Sequence, residues 1–274
     1  NWWSKGHGTL VDDVNGNWWI VYHAYAKGYH TLGRQTLIEP IEWTEDGWYR
    51  TKSVATPLKT NEKIQPGLEL SDDFNGPNLG LQWTFWKEYA PKSLTFDNEI
   101  LWMKAKGSTP ANGRLLLTTA EDKNYESQVE INVGDGNAAG LILFYNEKAY
   151  AGVVSDGTRF IVYQNATQKK VLPNELGKRF IAKIHNRDNH LCIMVSKDNK
   201  EWITLAEHVD VSQMHHNKYQ GFYALRIGLL SAGKGSAGFK QFRYKDAVPQ
   251  EKDMSAYLIC LLYTSDAADD RISV

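Results

Sequence analysis

Two residues in the tryptophan-rich first fifty positions have side chains and neighbours that could do chemistry. His7 lies between Gly6 and Gly8, and Arg34 directly follows Gly33. An imidazole can hold ordered water around a hard cation, and an arginine fork can pair bidentately with hydroxyls or with a carboxylate, whose pKa it lowers. The alternatives are a histidine that serves a turn or hydrogen-bonds in a core, and an arginine that is solvated on a strand. Which of these applies depends on the elements that position the two side chains.

Four short strands are predicted around these residues. Apolar runs are separated by turn signals at 12–17, where an Asn-Gly pair is typical of a hairpin, and at 45–47. Pro40 is expected to interrupt the ladder. About four strands in some fifty residues match one propeller blade. A single blade cannot close a ring or bury both of its faces, so we expect its partner blades to precede Asn1.

Four segments of this blade, taken in order, resemble glycoside hydrolase family 43. They are GHGTLV at 6–11, WWIVYH at 18–23, LGRQTL at 32–37 and IEWTEDGW at 41–48. The resemblance implies the last blade of a five-bladed β-propeller that acts on xylosides and arabinosides. It also implies that His7 lies on the propeller axis, near a calcium ion or its water shell, and that Arg34 points into the sugar pocket.

The resemblance further implies that the catalytic groups lie elsewhere. Inverting glycosidases need a general acid and a general base about 6.5–9.5 Å apart, and in this family the base, a pKa-modulating aspartate and the acid come from earlier blades. No catalytic residue is therefore nominated, and the chain is expected to be inactive alone. The acidic residues of the blade are interpreted as solvated turn carboxylates: Asp12, Asp13, Glu39, Glu42, Glu45 and Asp46.

The composition changes after the blade. The predicted units are the blade at 1–50, an extended linker at 51–70, a second all-β unit at 71–246, and a further linker and tail at 247–274. The second unit holds a dozen strand-like runs, among them 222–231, and one helical turn at 209–216. Short strands at this spacing are typical of a two-sheet sandwich, and roughly 175 residues suffice for a core of its own.

The second unit resembles the concanavalin-like sandwich that follows the propeller in many family 43 xylosidases. The matching segments are 72–74 with 81–85, 139–146 and 196–202. The implied fold class is all-β, with the last blade of a five-bladed β-propeller followed by a concanavalin-like β-sandwich. In some members a sandwich loop closes one side of the pocket, which fits an exo-acting enzyme. The candidates for such a contact are Phe144, Tyr145 and Asn146, and the preferred alternative is a core strand that ends in a turn.

A sandwich of this type can also bind calcium near its first and last strands. Asp73 and Asp246 are candidate ligands because hard cations favour carboxylate oxygens. An Asx turn at Asp73 is the alternative. Calcium is thus the cofactor expected, either in the sandwich or on the axis near His7.

Two classes of function remain open. The first is the C-terminal part of an inverting xylosidase or arabinofuranosidase, whose partner is a xylo- or arabino-oligosaccharide. The second is a carbohydrate-binding module without a hydrolytic role, in which Trp86, Tyr89 or Trp102 stacks on sugar rings. A sandwich that only stabilises the propeller or mediates oligomers is a third hypothesis, and the sequence specifies no oligomeric state. The blade motifs favour the first class.

The composition argues against other classes of protein. With 31 basic and 32 acidic residues, a net charge of −1 and no basic cluster, the chain lacks the footprint of a nucleic-acid-binding protein. No stretch approaches the ~18–20 apolar residues of a membrane helix. Cys192 and Cys260 do not suggest a disulfide framework, and Cys192 is interpreted as a buried thiol. The compartment stays open between cytoplasm, periplasm and secretion, because a signal peptide would precede Asn1.

The residues from about 255 onward differ from everything before them. They follow a polar break at 245–255 and show no sandwich alternation. They resemble the translation of a sequencing adapter joined to a truncated read and are left out of the functional interpretation. A short docking helix is the alternative.

Overall fold

The computed structural model describes residues 2–52 and 68–247. Most of the predicted linker, and the tail from residue 248 onward, lie outside these residues. The described chain contains a four-stranded blade and two seven-stranded sheets. No helix within the described ranges is long and apolar enough to cross a membrane.

The blade is a meander in which neighbouring strands are antiparallel. Its strands are β1 (Trp2–Asp12), β2 (Trp18–Ala26), β3 (Arg34–Trp43) and β4 (Tyr49–Thr51). The predicted turn between β1 and β2 is held by Asp13, whose Oδ1 accepts the backbone N–H groups of Asn15 and Asn17 at 2.8 and 3.0 Å. A 3₁₀ turn, His30–Leu32, replaces the start of the predicted third strand.

Pro40 does not interrupt the ladder, contrary to the prediction. Strand β3 runs through it, and Pro40 lies opposite Trp19 of β2. Its carbonyl accepts the backbone N–H of Lys52 at 2.9 Å, just beyond the end of β4. In an antiparallel sheet the N–H and C=O of one residue point to the same neighbouring strand. The N–H that Pro40 lacks would therefore point toward β4, at the position where β3–β4 pairing ends. For this reason the proline removes no hydrogen bond between β3 and β2.

The two seven-stranded sheets form the sandwich. Its elements in chain order are β5 (Thr84–Phe85), β6 (Leu94–Asp97), β7 (Ile100–Lys104), β8 (Arg114–Thr119), β9 (Tyr125–Val133), β10 (Asn137–Asn146), β11 (Ala149–Ser155), β12 (Arg159–Gln164), β13 (Thr167–Pro173), β14 (Arg179–Arg187), β15 (His190–Ser196), β16 (Trp202–Asp210), α1 (His216–Tyr219), β17 (Arg226–Gly233) and β18 (Ser236–Asp246). One sheet has the order β13-β12-β11-β10-β17-β8-β5, and the other β16-β15-β14-β9-β18-β7-β6.

The main core lies between these sheets. Alternate residues of facing strands are fully buried there, such as Val129 and Ile131 of β9 and Leu141 of β10. Strand β10 also buries its other face, where Phe144 packs in a second apolar cluster. Burial on both faces explains why β10 is an uninterrupted apolar run in the sequence.

Several predicted elements differ from the structure. The strand expected at 222–231 begins only at Arg226, because the apolar residues before it leave the sheet and pack beside the blade. The helical turn expected at 209–216 lies at His216–Tyr219, because β16 continues to Asp210. Strands β6 and β13 have no counterpart among the predicted strands. Most residues of β13 are exposed and polar at a sheet edge, a composition that resembles a loop.

Candidate functional site

One face of the blade gathers His7, His23, Tyr25 and Arg34. His23 and Tyr25 are two residues apart on β2, and Arg34 lies directly opposite Tyr25, so the three share a face. His7 lies within the register shift of β1 between Gly6 and Thr9 and has a positive φ of 49°. Its Nδ1 is 3.0 Å from His23 Nε2. The structure therefore brings the two predicted site residues, His7 and Arg34, to one surface, with His23 between them.

The environment of His23 keeps its imidazole neutral. Burial lowers the pKa of His23 first, and the positive charges of Arg34 and His7 lower it further. Its Nδ1 is buried and has no hydrogen-bond partner within the described ranges. The His7–His23 contact thus involves at least one neutral ring.

Arg34 is held by aromatic rings instead of by a carboxylate. Its guanidinium carbon lies 4.3 Å from the ring centre of Phe222 and 5.1 Å from that of Tyr25. The Nε atom is buried and has no hydrogen-bond partner in the part of the chain that the structure describes. A sugar hydroxyl or a carboxylate that reached this buried N–H would satisfy it.

The 3₁₀ turn His30–Leu32 docks the blade on the sandwich. The backbone N–H of Leu225 donates to Thr31 O at 2.7 Å, and the Thr31 hydroxyl donates to Asn189 Oδ1 at 2.6 Å. The His30 ring lies 5.1 Å from that of His215. These contacts fix where β3 begins, and therefore where Arg34 projects.

Gly33 is required at this junction. Its φ is 72° and its ψ is −167°, a region that only glycine adopts readily. A Cβ added there would lie 3.1 Å from Ala224 Cβ of the sandwich. The glycine of the Leu-Gly-Arg segment therefore lets the chain turn and lets the two units approach closely.

The sandwich loop that carries Phe222 is anchored by the end of β10. The Tyr145 hydroxyl lies 2.7 Å from both Gln220 O and Gly221 O, and Asn146 Nδ2 donates to Tyr219 O at 3.3 Å. Phe144 and Tyr145 are fully buried, so the core-strand interpretation of this segment is confirmed. The contact with the arginine comes instead from Phe222, which is 66 % exposed.

A cavity of about 600 Å³ lies between the two units. The blade lines it with residues 32–35, and the sandwich lines it with residues 119–121, Phe222 and Ala224. Glu121 is the one carboxylate among these lining residues. An acid–base pair needs two carboxyl groups, so the lining residues do not form one.

Four of the six acidic residues of the blade have local partners. Hydrogen bonds from Asn17 lower the pKa of Asp13 to about 2, and the Thr44 hydroxyl lowers that of Asp46. Glu39 accepts a hydrogen bond from the Tyr22 hydroxyl. Glu42 pairs with Arg50 at 3.2 Å. None of these carboxylates lines the cavity.

The structure does not bring Asp73 and Asp246 together. Asp73 forms an ion pair with Arg243. The neighbouring Asp72 is paired with Phe242, and Asp246 lies four residues further along β18, about 13 Å away at the rise of a strand. The Asx turn is formed by Asp72 and not Asp73, since Asp72 Oδ1 accepts the Phe74 N–H at 2.8 Å. Within the described ranges no group of three His, Cys, Asp or Glu side chains could hold a metal ion.

The three candidate stacking rings do not form one platform. Trp86 follows β5 in one sheet and donates its Nε1–H to Glu147 Oε1 at 2.8 Å. Trp102 belongs to β7 in the other sheet and lies over Gly238. Tyr89 is 87 % exposed and meets Phe85 edge to face.

The fold is that of a protein in which a propeller-type blade and a concanavalin-like sandwich together line one cavity. The sequence model of Glycosyl hydrolases family 43 matches residues 1–49, and that of the β-xylosidase C-terminal concanavalin A-like domain matches residues 71–245. The chain therefore belongs to glycosyl hydrolase family 43.

Curated relatives carry names of the same kind. A xylosidase/arabinosidase from Butyrivibrio fibrisolvens is 25% identical over 280 residues, which cover 87% of this chain and 51% of the relative. A non-reducing end α-L-arabinofuranosidase from Bacteroides ovatus is 26% identical over 85% of this chain and 48% of its own length. The chain thus spans about half the length of the curated relatives it matches.

Solved structures support the fold. A family 43 protein from Bacillus licheniformis superposes with a TM-score of 0.73 at 23% identity, over 88% of this chain and 53% of that chain. A xylan β-1,4-xylosidase from Bacillus halodurans gives the same TM-score at 22% identity and the same coverage. At these identities the likeness establishes the fold alone.

Proposed function

We propose that this chain forms one side of the sugar pocket in a glycosidase that releases terminal xylosyl or arabinosyl residues from hemicellulose-derived oligosaccharides. The observation that carries the proposal is Arg34, an arginine without a carboxylate partner in the described ranges, held between two rings at the mouth of a cavity. An arginine fork and aromatic faces together suit a sugar ring with several hydroxyls. The names of the curated relatives support this substrate class.

The general acid and general base of the inverting reaction are proposed to come from residues outside 1–274. The support is that Glu121 is the one carboxylate among the residues that line the cavity. Arg34 would then orient the terminal sugar, or pair with one of the missing carboxylates and hold its pKa low.

Phe222 is proposed to close one side of the pocket. The ring lies over the Arg34 guanidinium and belongs to the sandwich, so the two units would act on one sugar. A wall at this place favours an exo-acting enzyme, because it admits a chain end and blocks the continuation of a polymer.

Calcium is proposed for the axial position near His7, held through water. His7 and His23 offer nitrogen, whereas calcium prefers oxygen ligands, so the two rings would serve only its water shell. If the ion binds, calcium should raise the melting temperature of the protein relative to EDTA. An unchanged melting temperature would remove the ion from the proposal.

The proposed function is tested with nitrophenyl xyloside and arabinofuranoside as substrates. The 1–274 chain should show no turnover, whereas a protein extended at its N-terminus by the coding sequence upstream of Asn1 should hydrolyse at least one of them. In the extended protein Arg34→Ala should lower kcat/KM at least tenfold, since each hydrogen bond to a charged group contributes about 1.5–3 kcal/mol. The matched control is Arg50→Ala, an exposed arginine of the same blade that pairs with Glu42. Equal kcat/KM in the two variants would refute the role of Arg34.

The carbohydrate-binding module is the competing hypothesis, and Trp102 is its best candidate because it lies across Gly238 in the second sheet. Under that hypothesis oligosaccharide binding would survive Arg34→Ala and be lost on Trp102→Ala. The enzyme hypothesis predicts the reverse.

A further inference from the structure

A second arginine lies beside the cavity, and among the described residues it has no carboxylate partner. Arg226 begins β17, and its guanidinium carbon lies 4.9 Å from the Trp86 ring and 5.6 Å from the Tyr223 ring. Its Nε and Nη2 atoms are buried and have no hydrogen-bond partner in the described part of the chain. Within the described ranges, the contacts of this guanidinium are with aromatic rings.

This arrangement is unlike that of three other sandwich arginines, each of which pairs with a carboxylate. Arg114 pairs with Glu88 at 3.1 Å, Arg159 with Asp156 at 2.6 Å and Arg179 with Glu130 at 2.7 Å. A guanidinium stays charged in a protein, and a buried N–H of a charged group without an acceptor destabilises the folded state. Arg226 therefore has donors that an incoming anion would satisfy.

The carboxylate that holds the Trp86 ring, Glu147, has two partners of its own. Glu147 Oε1 accepts the Trp86 Nε1–H at 2.8 Å and pairs with Lys87 Nζ at 2.9 Å. These bonds fix the Trp86 ring against Arg226 and leave the arginine without that carboxylate. Nε–H and Nη2–H are donors of one guanidinium fork, which suits bidentate binding of a carboxylate once an acceptor reaches these buried atoms.

Arg226 is also next to the proposed sugar site. In the β17–β8 ladder it lies opposite Thr119, which lines the cavity. Its ring partner Tyr223 directly follows Phe222, which covers Arg34. One loop of the sandwich therefore touches both arginines, so a ligand bound at Arg34 could extend toward Arg226.

We propose that Arg226 binds the carboxylate of a uronic acid substituent on an oligosaccharide whose terminal sugar occupies the Arg34 cavity. This inference rests on the proposed function, and it specifies the substrate as an acidic, substituted oligosaccharide. Binding requires the Tyr223 ring, which is 38 % exposed, to shift, because Nε and Nη2 are shielded from solvent. Trp86 and Tyr223 then flank the uronate ring.

The test compares three ligands by isothermal titration of the full 1–274 chain. They are an unsubstituted xylo-oligosaccharide, the same oligosaccharide bearing one glucuronate, and the methyl ester of that glucuronate. The acid should bind about tenfold more tightly than its ester at low salt, and the preference should shrink as salt rises. Equal affinities for acid and ester overturn the inference, and this comparison uses the unmodified protein, so it does not depend on the folding of a variant.

Variants then locate the carboxylate. Arg226→Gln should bring the acid-to-ester preference to about one, and Arg226→Lys, which keeps the charge but not the fork, should retain part of it. The matched control Arg159→Gln removes an exposed, ion-paired arginine of the same sandwich and should keep the full preference. A preference that survives Arg226→Gln overturns the inference.

The outcomes separate this inference from the proposed function. If the unsubstituted oligosaccharide binds and requires Arg34 while acid and ester bind equally, the sugar pocket stands and the role of Arg226 fails. If none of the three ligands binds, both proposals fail.

Discussion

Replacing Gly33 with alanine should destabilise the contact between blade and sandwich that positions Arg34. The residue has a φ of 72° and a ψ of −167°, which strains any side chain by about 1–3 kcal/mol. The new Cβ would also lie 3.1 Å from Ala224 Cβ and 3.3 Å from Ala224 Cα, a contact that adds about 1–2 kcal/mol of overpacking. The expected loss of stability is therefore about 2–5 kcal/mol, and it should be concentrated at the docking surface.

A control glycine separates the two contributions. Gly47 also has a positive φ, 81°, but a Cβ there would meet nothing within 4 Å, so Gly47→Ala reports backbone strain without contact. Urea unfolding followed by tryptophan fluorescence gives the free energies. Adding Ala224→Gly to Gly33→Ala should recover the contact part, with a coupling energy of about 1–2 kcal/mol. If Gly33→Ala and Gly47→Ala cost the same and the coupling is zero, the close approach of blade and sandwich is wrong.

Three further predictions concern the site, the docking surface and the sandwich. Phe222→Ala should weaken xylo-oligosaccharide binding about tenfold while leaving the melting temperature unchanged, because the ring is 66 % exposed. The control Tyr89→Ala, whose ring is 87 % exposed, should change neither quantity. A fall in melting temperature without a change in binding would contradict the proposed role of Phe222 as a pocket wall. Burial, followed by the charges of His30, His216 and Lys218, lowers the pKa of His215, so the native state favours its neutral form, and stability should be lost as the pH falls below the ordinary histidine range of about 6.5. His215→Asn keeps an acceptor for the Asn217 N–H and should flatten this dependence in unfolding curves between pH 7 and 5; an unchanged slope would refute it. Burial alone would raise the pKa of Glu126, but the hydrogen bond from His185 and the charges of His185, Lys183 and Lys245 lower it to about 2. The ionised Glu126 should therefore stabilise the fold fully above the ordinary glutamate pKa, and this contribution should be lost as the pH falls toward 2. Glu126→Gln should therefore lower the free energy of unfolding at pH 7 and make that free energy depend less on pH in acid. A variant as stable as the parent at pH 7 would contradict the stabilising role of Glu126 and its basic partners.

The blade was predictable because its signals are local. The turn at Asp13 to Asn17, the alternation of β2 and the Leu-Gly-Arg segment each span a few residues, and the structure shows the elements they indicate. Pro40 was misinterpreted because its effect depends on which neighbour its N–H would face. That depends on where β4 ends, which lies beyond the local pattern.

The pocket was only partly predictable. His7 and Arg34 lie in short sequence motifs that can be recognised locally. Phe222 contacts Arg34 from 188 positions away and was predicted to lie in a strand because its neighbours are apolar. Glu121 and His23 carried no local signal beyond their residue types. An Asx turn was predicted at Asp73 as the alternative to calcium binding, but Phe74 and Trp83 donate their hydrogen bonds to Asp72.

The central claim, that Arg34 binds sugar at the junction of blade and sandwich, is tested most directly by the Arg34 Nε–H resonance in a nitrogen-15 correlation spectrum during a xylotriose titration. The account predicts a saturable shift of this resonance, with matching shifts of the Phe222 ring protons, because Nε is buried without a partner in the described chain and Phe222 lies 4.3 Å from the guanidinium carbon. Saturable shifts confined to Trp102 or Tyr89, with Arg34 unmoved, would contradict it.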